Sequence, residues 1–362
     1  MDITTVDKNF KVETSISAEG LVFENCRSGR FRIEGVRYED VEGNGMFVRM
    51  PQEKAKGVSD MVGYLSRLTA GGKIRFRTDS PYVAVHVKIH SAGKMSHFPL
   101  SGSVGCDLFA RFGEEERFIS ALLPAFEVQD SYENIGYILG WDGQMHDITV
   151  NMPTYTGVYD LFIGYKEGSR IEPPREHRIE KPVVFYGSSI TQGGCCSRPS
   201  NTYEDMLARW LDFNYINLGF SGSAVGEEAI GAYLAELPMS AFVYDYDHNA
   251  CNAEHLSKTH ERLFRQVRQK QPDVPILIMT RPRFHLSAEE IERMETIRKT
   301  YDNAVAQGDK NVYWLSGPEL IPEDVCDLAL VDGCHPNDVG FYFMAKAIRP
   351  ILSQMLGITD KD

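Results

Sequence analysis

Two short segments, far apart in the chain, hold the residues able to do chemistry. The first is Val183-Val184-Phe185-Tyr186-Gly187-Ser188-Ser189-Ile190-Thr191-Gln192-Gly193; the second is Val331-Asp332-Gly333-Cys334-His335-Pro336. A serine hydroxyl is a weak nucleophile until a base takes its proton, and a neutral imidazole titrating near neutral pH suits that task. A carboxylate beside the imidazole fixes its tautomer and stabilises the imidazolium. Asp332 and His335 lie three residues apart on a glycine-containing turn, so that both can be presented together. A serine and an Asp/His pair are the parts of a serine hydrolase.

The elements around these segments must bring them together. Residues 183–186 form an apolar run that stops at glycine and a hydroxyl, which reads as a buried strand opening into a loop at its C-terminal end. Open α/β sheets hold their ligands at that edge. Further strands are expected at residues 215–218, 241–246, 275–280 and 312–315, with helices between them. Residues 203–211 place Tyr203, Met206, Leu207 and Trp210 on one helical face, and 253–269 do the same for Leu256, His260, Leu263, Phe264 and Val267. Ser287-Ala288-Glu289-Glu290 is a capping box before a helix carrying Ile291, Met294 and Ile297. A last helix is expected over 338–356, bent or broken at Pro350. This alternation implies a parallel sheet of five strands with helices on both faces.

The first half has another rhythm. Up to Tyr165 it carries short alternating runs, at 73–77, 82–89, 118–119, 135–139, 146–150 and 159–165, broken by turn residues such as Thr78-Asp79-Ser80-Pro81. Helical periodicity is scarce there, so a β-sandwich or jelly roll is expected. The stretch around Pro173-Pro174-Arg175-Glu176 is polar and proline-bearing and reads as a linker. The expected division is residues 1–172 as the all-β domain, 173–181 as the linker and 182–362 as the α/β domain. A chain of 362 residues also exceeds the size at which single cores stop growing.

A net charge of −13 argues against nucleic acid and anionic membranes as partners, and is compatible with a sugar ester or with simple solubility. Met1-Asp2-Ile3-Thr4-Thr5-Val6-Asp7-Lys8 has no basic segment followed by an apolar core, and no apolar stretch approaches the roughly 20 residues that span a bilayer. The expectation is a cytoplasmic protein. Seven cysteines without a C-x-x-C pair suggest free thiols in a reducing compartment and no zinc site. Asp245, Asp247 and His248 are split between two strand faces, which argues against a metal there as well. No cofactor is expected.

Thr191 stands where the G-x-S-x-G elbow of α/β-hydrolases has its last glycine. Gly187-Ser188-Ser189 instead resembles the first block of the SGNH (GDSL-type) hydrolases, usually written G-D-S. Asn217-Leu218-Gly219-Phe220-Ser221-Gly222 resembles the second block. Tyr244-Asp245-Tyr246-Asp247-His248-Asn249 lies where the third is expected, and Asp332-x-x-His335 matches the fifth. The resemblance implies Ser189 as nucleophile, His335 as general base and Asp332 as its orienting carboxylate. It also implies an oxyanion hole made of the Ser189 N–H, the Gly222 N–H and the Asn249 side-chain amide.

Ser188 departs from the aspartate of G-D-S, Ser223 follows Gly222 where many members carry aspartate, and the third block is reduced to Asp247-His248-Asn249-Ala250. Gly105-Cys106-Asp107-Leu108-Phe109 resembles the G-x-D-L-Y signature of a β-domain that precedes SGNH domains in bacterial two-domain esterases, with Phe109 in place of tyrosine. The resemblance implies cofactor-free hydrolysis of short acyl esters, above all O-acetyl groups on carbohydrate. A lipase or thioesterase for longer chains and an inactive glycan-binding protein are the alternatives.

Plainer readings stand beside these. Ser189 could cap a helix, Asn249 could be a turn residue, and Gly219 could take the place of Gly222. Arg281 and Arg283, past the fourth strand, could bind substrate or pair with acidic residues. His248 could line the pocket beside Asn249, and Gln192 is a further substrate-binding candidate. Cys195, Cys196 and Cys334 could meet near the pocket as inert buried thiols or as redox-sensitive ones. Trp141 could be a sugar platform or part of the core.

Overall fold

A computed structural model of the chain describes residues 3–7, 11–12 and 15–359. Residues 1, 2 and 8, part of the stretch read above for a signal segment, lie outside them. The first half is a sandwich of two antiparallel sheets. One runs Leu21–Asn25, Val158–Lys166, Tyr82–Ile89, Ser131–Tyr137. The other runs Ile171–Glu172, Lys73–Thr78, His146–Asn151, Cys106–Phe112, Glu115–Leu122, with Arg32–Glu34 also paired to Lys73–Thr78. Alternation explains the arrangement. Val83, Val85 and Val87 point inward from the first sheet and meet Ile74, Phe76, Leu108, Ile148 and Val150 from the second in one core. The strands on either side of Thr78-Asp79-Ser80-Pro81 therefore belong to opposite sheets, and the turn crosses between them.

The first half also contains helices, contrary to the sequence expectation. Gln52–Val58 and Asp60–Leu65 are joined at Ser59, whose side chain accepts a hydrogen bond from the Val62 N–H. At seven and six residues they are shorter than the window in which a 3.6-residue period shows. Their apolar residues do not enter the sandwich. Ala55, Val62 and Leu65, with Met50 and Leu68, join Tyr186, Phe242 and Tyr244 in the core of the second domain.

That second domain has five parallel strands in the order Phe213–Gly219, Ile179–Gly187, Ala241–Asp245, Ile276–Met279, Val312–Leu315. Both faces are covered, so the central runs Val183–Tyr186, Ala241–Tyr244 and Ile276–Met279 are apolar and buried. The first strand starts at Ile179, earlier than expected. Ile179 pairs with Phe213, and the register then shifts before Val183, across Pro182, which has no N–H for the ladder. The chain leaves this strand toward one edge and then returns past it to the other. The switch point thus lies at its C-terminal end, where a crevice opens.

Helices Tyr203–Leu211 and Ala253–Lys270 follow the expected periodicity. Ala288–Ala306 stands behind the Ser287–Glu290 capping box, but of its expected apolar face only Ile297 is buried; Ile291 is exposed, because the helix turns inward Glu290, paired with Arg281, and Arg293, paired with Asp247. The final helix, Asp338–Met355, continues through Pro350. Ile348 and Leu352 on either side of the proline are buried against the sheet, and that packing holds the helix across the missing N–H. Among the described residues no helix is long and apolar enough to cross a membrane.

Polar contacts lock the domains together. Asp107, of the G-x-D-L-Y-like segment, is fully buried and accepts from Asn151 Nδ2 at 2.7 Å and from the Ser200 N–H of the second domain at 3.0 Å. His177 lies between Glu34 of the sandwich at 2.9 Å and Asp212 of the second domain at 3.2 Å. Burial of Glu34 works to raise its pKa, but the His177 and Arg75 partners outweigh it and lower the carboxyl from 4.5 to about 2. A depressed carboxylate contributes stability that is complete above its unfolded pKa and is lost as pH falls through the folded one. Glu34→Gln should therefore flatten the loss of stability between pH 4.5 and about 2, as read from denaturation midpoints at a series of pH values.

Candidate active site

The first parallel strand ends at Gly187, and the chain turns at once. The Gln192 N–H bonds the Ser188 carbonyl and the Gly194 N–H bonds the Ser189 carbonyl. Ser188 Oγ accepts from the Ile190 N–H at 3.2 Å and serves the turn. Ser189 Oγ lies 2.9 Å from His335 Nε2, and His335 Nδ1 lies 2.8 Å from Asp332 Oδ2. The serine, imidazole and carboxylate therefore form one continuous hydrogen-bonded chain.

The turn that carries the second pair is held from within. Asp332 Oδ1 accepts the N–H groups of His335 at 2.8 Å and Cys334 at 3.0 Å, and Val331 donates to the His335 carbonyl at 2.8 Å. Asn337 then caps the last helix through Val339 and Gly340. Partial burial works to raise the Asp332 pKa, but these amides and the imidazole lower it to about 2, so the carboxylate stays ionised beside the ring.

Two loops complete the crevice. A Cβ on Gly219 would stand 2.2 Å from the Gln192 nitrogen, so only glycine lets this strand end approach the Ser189 turn. The Gly219 N–H is already donated to Asn217 Oδ1 at 2.9 Å. Gly222 has φ +68°, and its N–H, like that of Ser189, finds no acceptor among the described residues; its neighbours Ser221, Ser223 and Ala224 all donate. Asn249 Oδ1 accepts from the Ala224 N–H at 3.3 Å, which fixes the amide on the same loop.

The remaining candidates are placed as follows. Gln192 is fully buried and joins the loops, accepting from the Ser221 N–H and donating to the Thr154 carbonyl of the sandwich. Arg281 bonds both Asp247 and Glu290, and Arg283 bonds Glu290 at 3.0 Å. Arg293 also binds Asp247, while Asp245 accepts from Thr191 and Tyr203, so both aspartates are occupied. His248 Nδ1 faces Cys334 Sγ at 3.7 Å, and burial lowers its pKa to about 4 and keeps the ring neutral. Cys195 and Cys196 are buried, and burial first of all pushes Cys195 up to about 12. Trp141 is exposed on the sandwich and donates to the Asp79 carbonyl at 2.9 Å.

Sequence reasoning missed the residues that the sandwich sends to this edge. The Tyr155 hydroxyl donates to the Ser189 carbonyl at 3.2 Å. His97 Nε2 comes within 3.8 Å of Asp332 Oδ2, and its ring centroid lies 6.0 Å from that of His335. Both sit on loops between strands, where nothing local shows which way the loop folds. A cleft of about 290 Å³ among Arg283, Phe284, Leu330 and Gly333 borders the Asp332 turn. A cleft of about 640 Å³ around Phe264, Arg268 and Asp309 lies at the N-terminal edge of the strands, away from Ser189.

Residues 180–353 match the model of the GDSL-like lipase/acylhydrolase family, and residues 21–171 match that of the N-terminus of SGNH-hydrolase-type esterases, named GxDLY. Residues 180–353 are therefore a GDSL-like lipase/acylhydrolase domain behind a GxDLY-type N-terminal domain. As an SGNH-type enzyme the chain hydrolyses carboxylic esters. No curated protein sequence matches it. Among solved structures, a GDSL-like lipase from Bacteroides ovatus ATCC 8483 superposes with a TM-score of 0.83 at 24% identity, covering 94% of this chain and 99% of that one. The salicylyl-acyltransferase SsfX3 from a tetracycline biosynthetic pathway gives 0.75 at 18%, covering 94% and 98%. The acetyl xylan esterase Est2A from the rumen bacterium Butyrivibrio proteoclasticus gives 0.58 at 12%, covering 93% and 99%. These likenesses concern the fold of both domains of the GDSL-like hydrolase.

Proposed function

We propose that the chain removes short acyl groups, O-acetyl groups on carbohydrate above all, through an acyl-Ser189 intermediate. The observation that carries this reading is the unbroken chain from Ser189 Oγ through His335 to Asp332, at 2.9 and 2.8 Å. In this mechanism His335 Nε2 takes the Ser189 proton as the oxygen attacks the ester carbonyl, and Asp332 stabilises the imidazolium. The Ser189 and Gly222 N–H groups and the Asn249 amide receive the developing oxyanion; each such donor is worth on the order of 3 kcal/mol in the transition state. The imidazolium then protonates the leaving alcohol. Water, activated by the same imidazole, releases the acid and restores Ser189.

Two things support a short acyl group on a sugar. One structural neighbour is an acetyl xylan esterase, and the cleft beside the Asp332 turn is small and mixed in character rather than a long apolar channel. The division at residues 173–181 belongs to the same proposal, with helices Gln52–Val58 and Asp60–Leu65 counted with the hydrolase core. The test compares acetylated xylo- and cello-oligosaccharides with p-nitrophenyl esters of increasing chain length. The expected outcome is a kcat/KM that falls steadily beyond two to four carbons, together with release of acetate from the oligosaccharides. A preference for long chains would reject the substrate assignment.

A further inference from the structure

We propose that His97, Cys195 and His335 form a site for a thiophilic divalent cation, Zn²⁺ above all, whose binding inhibits the enzyme. The cation site stands on geometry alone; the inhibition rests on the role given to His335 above. One ligand atom from each of the three residues lies within 4.8 Å of the other two. The residues come from three segments: a sandwich loop, the turn after Ser189, and the Asp332–His335 turn. This is why a sequence pattern without C-x-x-C spacing gave no sign of zinc.

The chemistry of the set selects the ion. One thiol and two imidazoles suit Zn²⁺ or Co²⁺ and not Mg²⁺ or Ca²⁺, which require oxygen ligands. Tetrahedral Zn²⁺ with bonds of roughly 2.1 and 2.3 Å holds its ligand atoms about 3.4–3.7 Å apart, so the site must close by about 1 Å. His97 can supply that movement, because its side chain is 45% exposed and sits on a loop. Cys195 is the fixed member. It is buried and held at φ +73°, a left-handed conformation that a non-glycine residue adopts only where its surroundings hold it. The Asp332 carboxylate, 3.8 Å from His97 Nε2, adds negative charge beside the site.

Binding displaces one proton, that of the Cys195 thiol, into solvent, and leaves a thiolate and two neutral imidazoles on the ion. The ion then holds the imidazole that Ser189 needs as its base. Inhibition should therefore be reversed by a chelator.

The full chain, stripped with EDTA, is titrated with Zn²⁺ against a chromophoric chelator and separately with Co²⁺. The expected result is one ion per chain and, with Co²⁺, a near-ultraviolet thiolate-to-metal charge-transfer band. His97→Asn and Cys195→Gly should each weaken Zn²⁺ binding about tenfold or more, and the second should abolish the band. Glycine at 195 accepts the positive φ, so this variant keeps its fold. p-Nitrophenyl acetate hydrolysis by the wild type should fall with the binding midpoint and recover with EDTA, while both variants resist. Equal Zn²⁺ affinity in wild type and both variants, or a Co²⁺ spectrum without the band, would overturn the site. Binding without loss of activity would overturn the inhibition. A chain without esterase activity would sink the functional reading, while the Co²⁺ spectrum would still decide the site.

Discussion

Ser189→Ala is expected to lower kcat for p-nitrophenyl acetate by a factor on the order of 10⁴ or more, with the folded protein and its thermal midpoint little changed. The size follows from covalent catalysis. Without Oγ there is no acyl-enzyme, and only binding and the oxyanion donors remain to assist direct attack by water. His335→Ala should cost nearly as much, and the double variant little more than either alone, because the two act as one unit. Additive losses would mean that they act independently, contrary to the 2.9 Å contact between them.

The largest expected effect on stability lies at Arg49. Its guanidinium is buried and has no carboxylate partner among the described residues. It donates to the carbonyls of Leu65, Leu68, Asn217 and Gly219, at 2.6–3.1 Å, and lies over the Phe220 ring. The first two belong to the sandwich half of the chain, the last two to the strand that leads into the Gly222 loop. Burial pulls the pKa of this cation down, so the carbonyls must offset its desolvation. Arg49→Ala should cost at least about 3 kcal/mol, because four buried carbonyls lose a charged donor and a cavity opens. Arg49→Lys should restore part of this, since one ammonium cannot reach every carbonyl from a single point. Chemical denaturation with midpoints and slopes measured for both variants checks it; a change under about 0.5 kcal/mol for the alanine variant would contradict the account.

How much could be read in advance depended on how local each signal was. Val183–Tyr186 announced a strand because every residue is apolar and the run stops at glycine. The Asp332 turn was legible because three residues and a glycine suffice to make it. Tyr155, His97 and Arg49 were not, because each reaches the site from the other domain and its own neighbours carry no trace of the destination. The helices Gln52–Val58 and Asp60–Leu65 escaped for the same reason: their apolar residues serve a core built mainly from residues after 180. Local sterics at Pro350 predict a bend or a break, whereas the burial of Ile348 and Leu352 on either side carries the helix through it. The Arg281 guanidinium is spent on Asp247 and Glu290, a pairing that depends on where strand ends converge and not on sequence spacing.

The central claim is that Ser189 is an activated nucleophile. A fluorophosphonate probe reacts with such a serine and not with a hydroxyl that only caps a turn. The folded chain should be labelled once, and peptide mass spectrometry should place the adduct on Ser189. Labelling should vanish in Ser189→Ala and in His335→Ala. Folded protein that takes up no probe, or an adduct carried by Ser188 with Ser189 unmodified, would contradict the account.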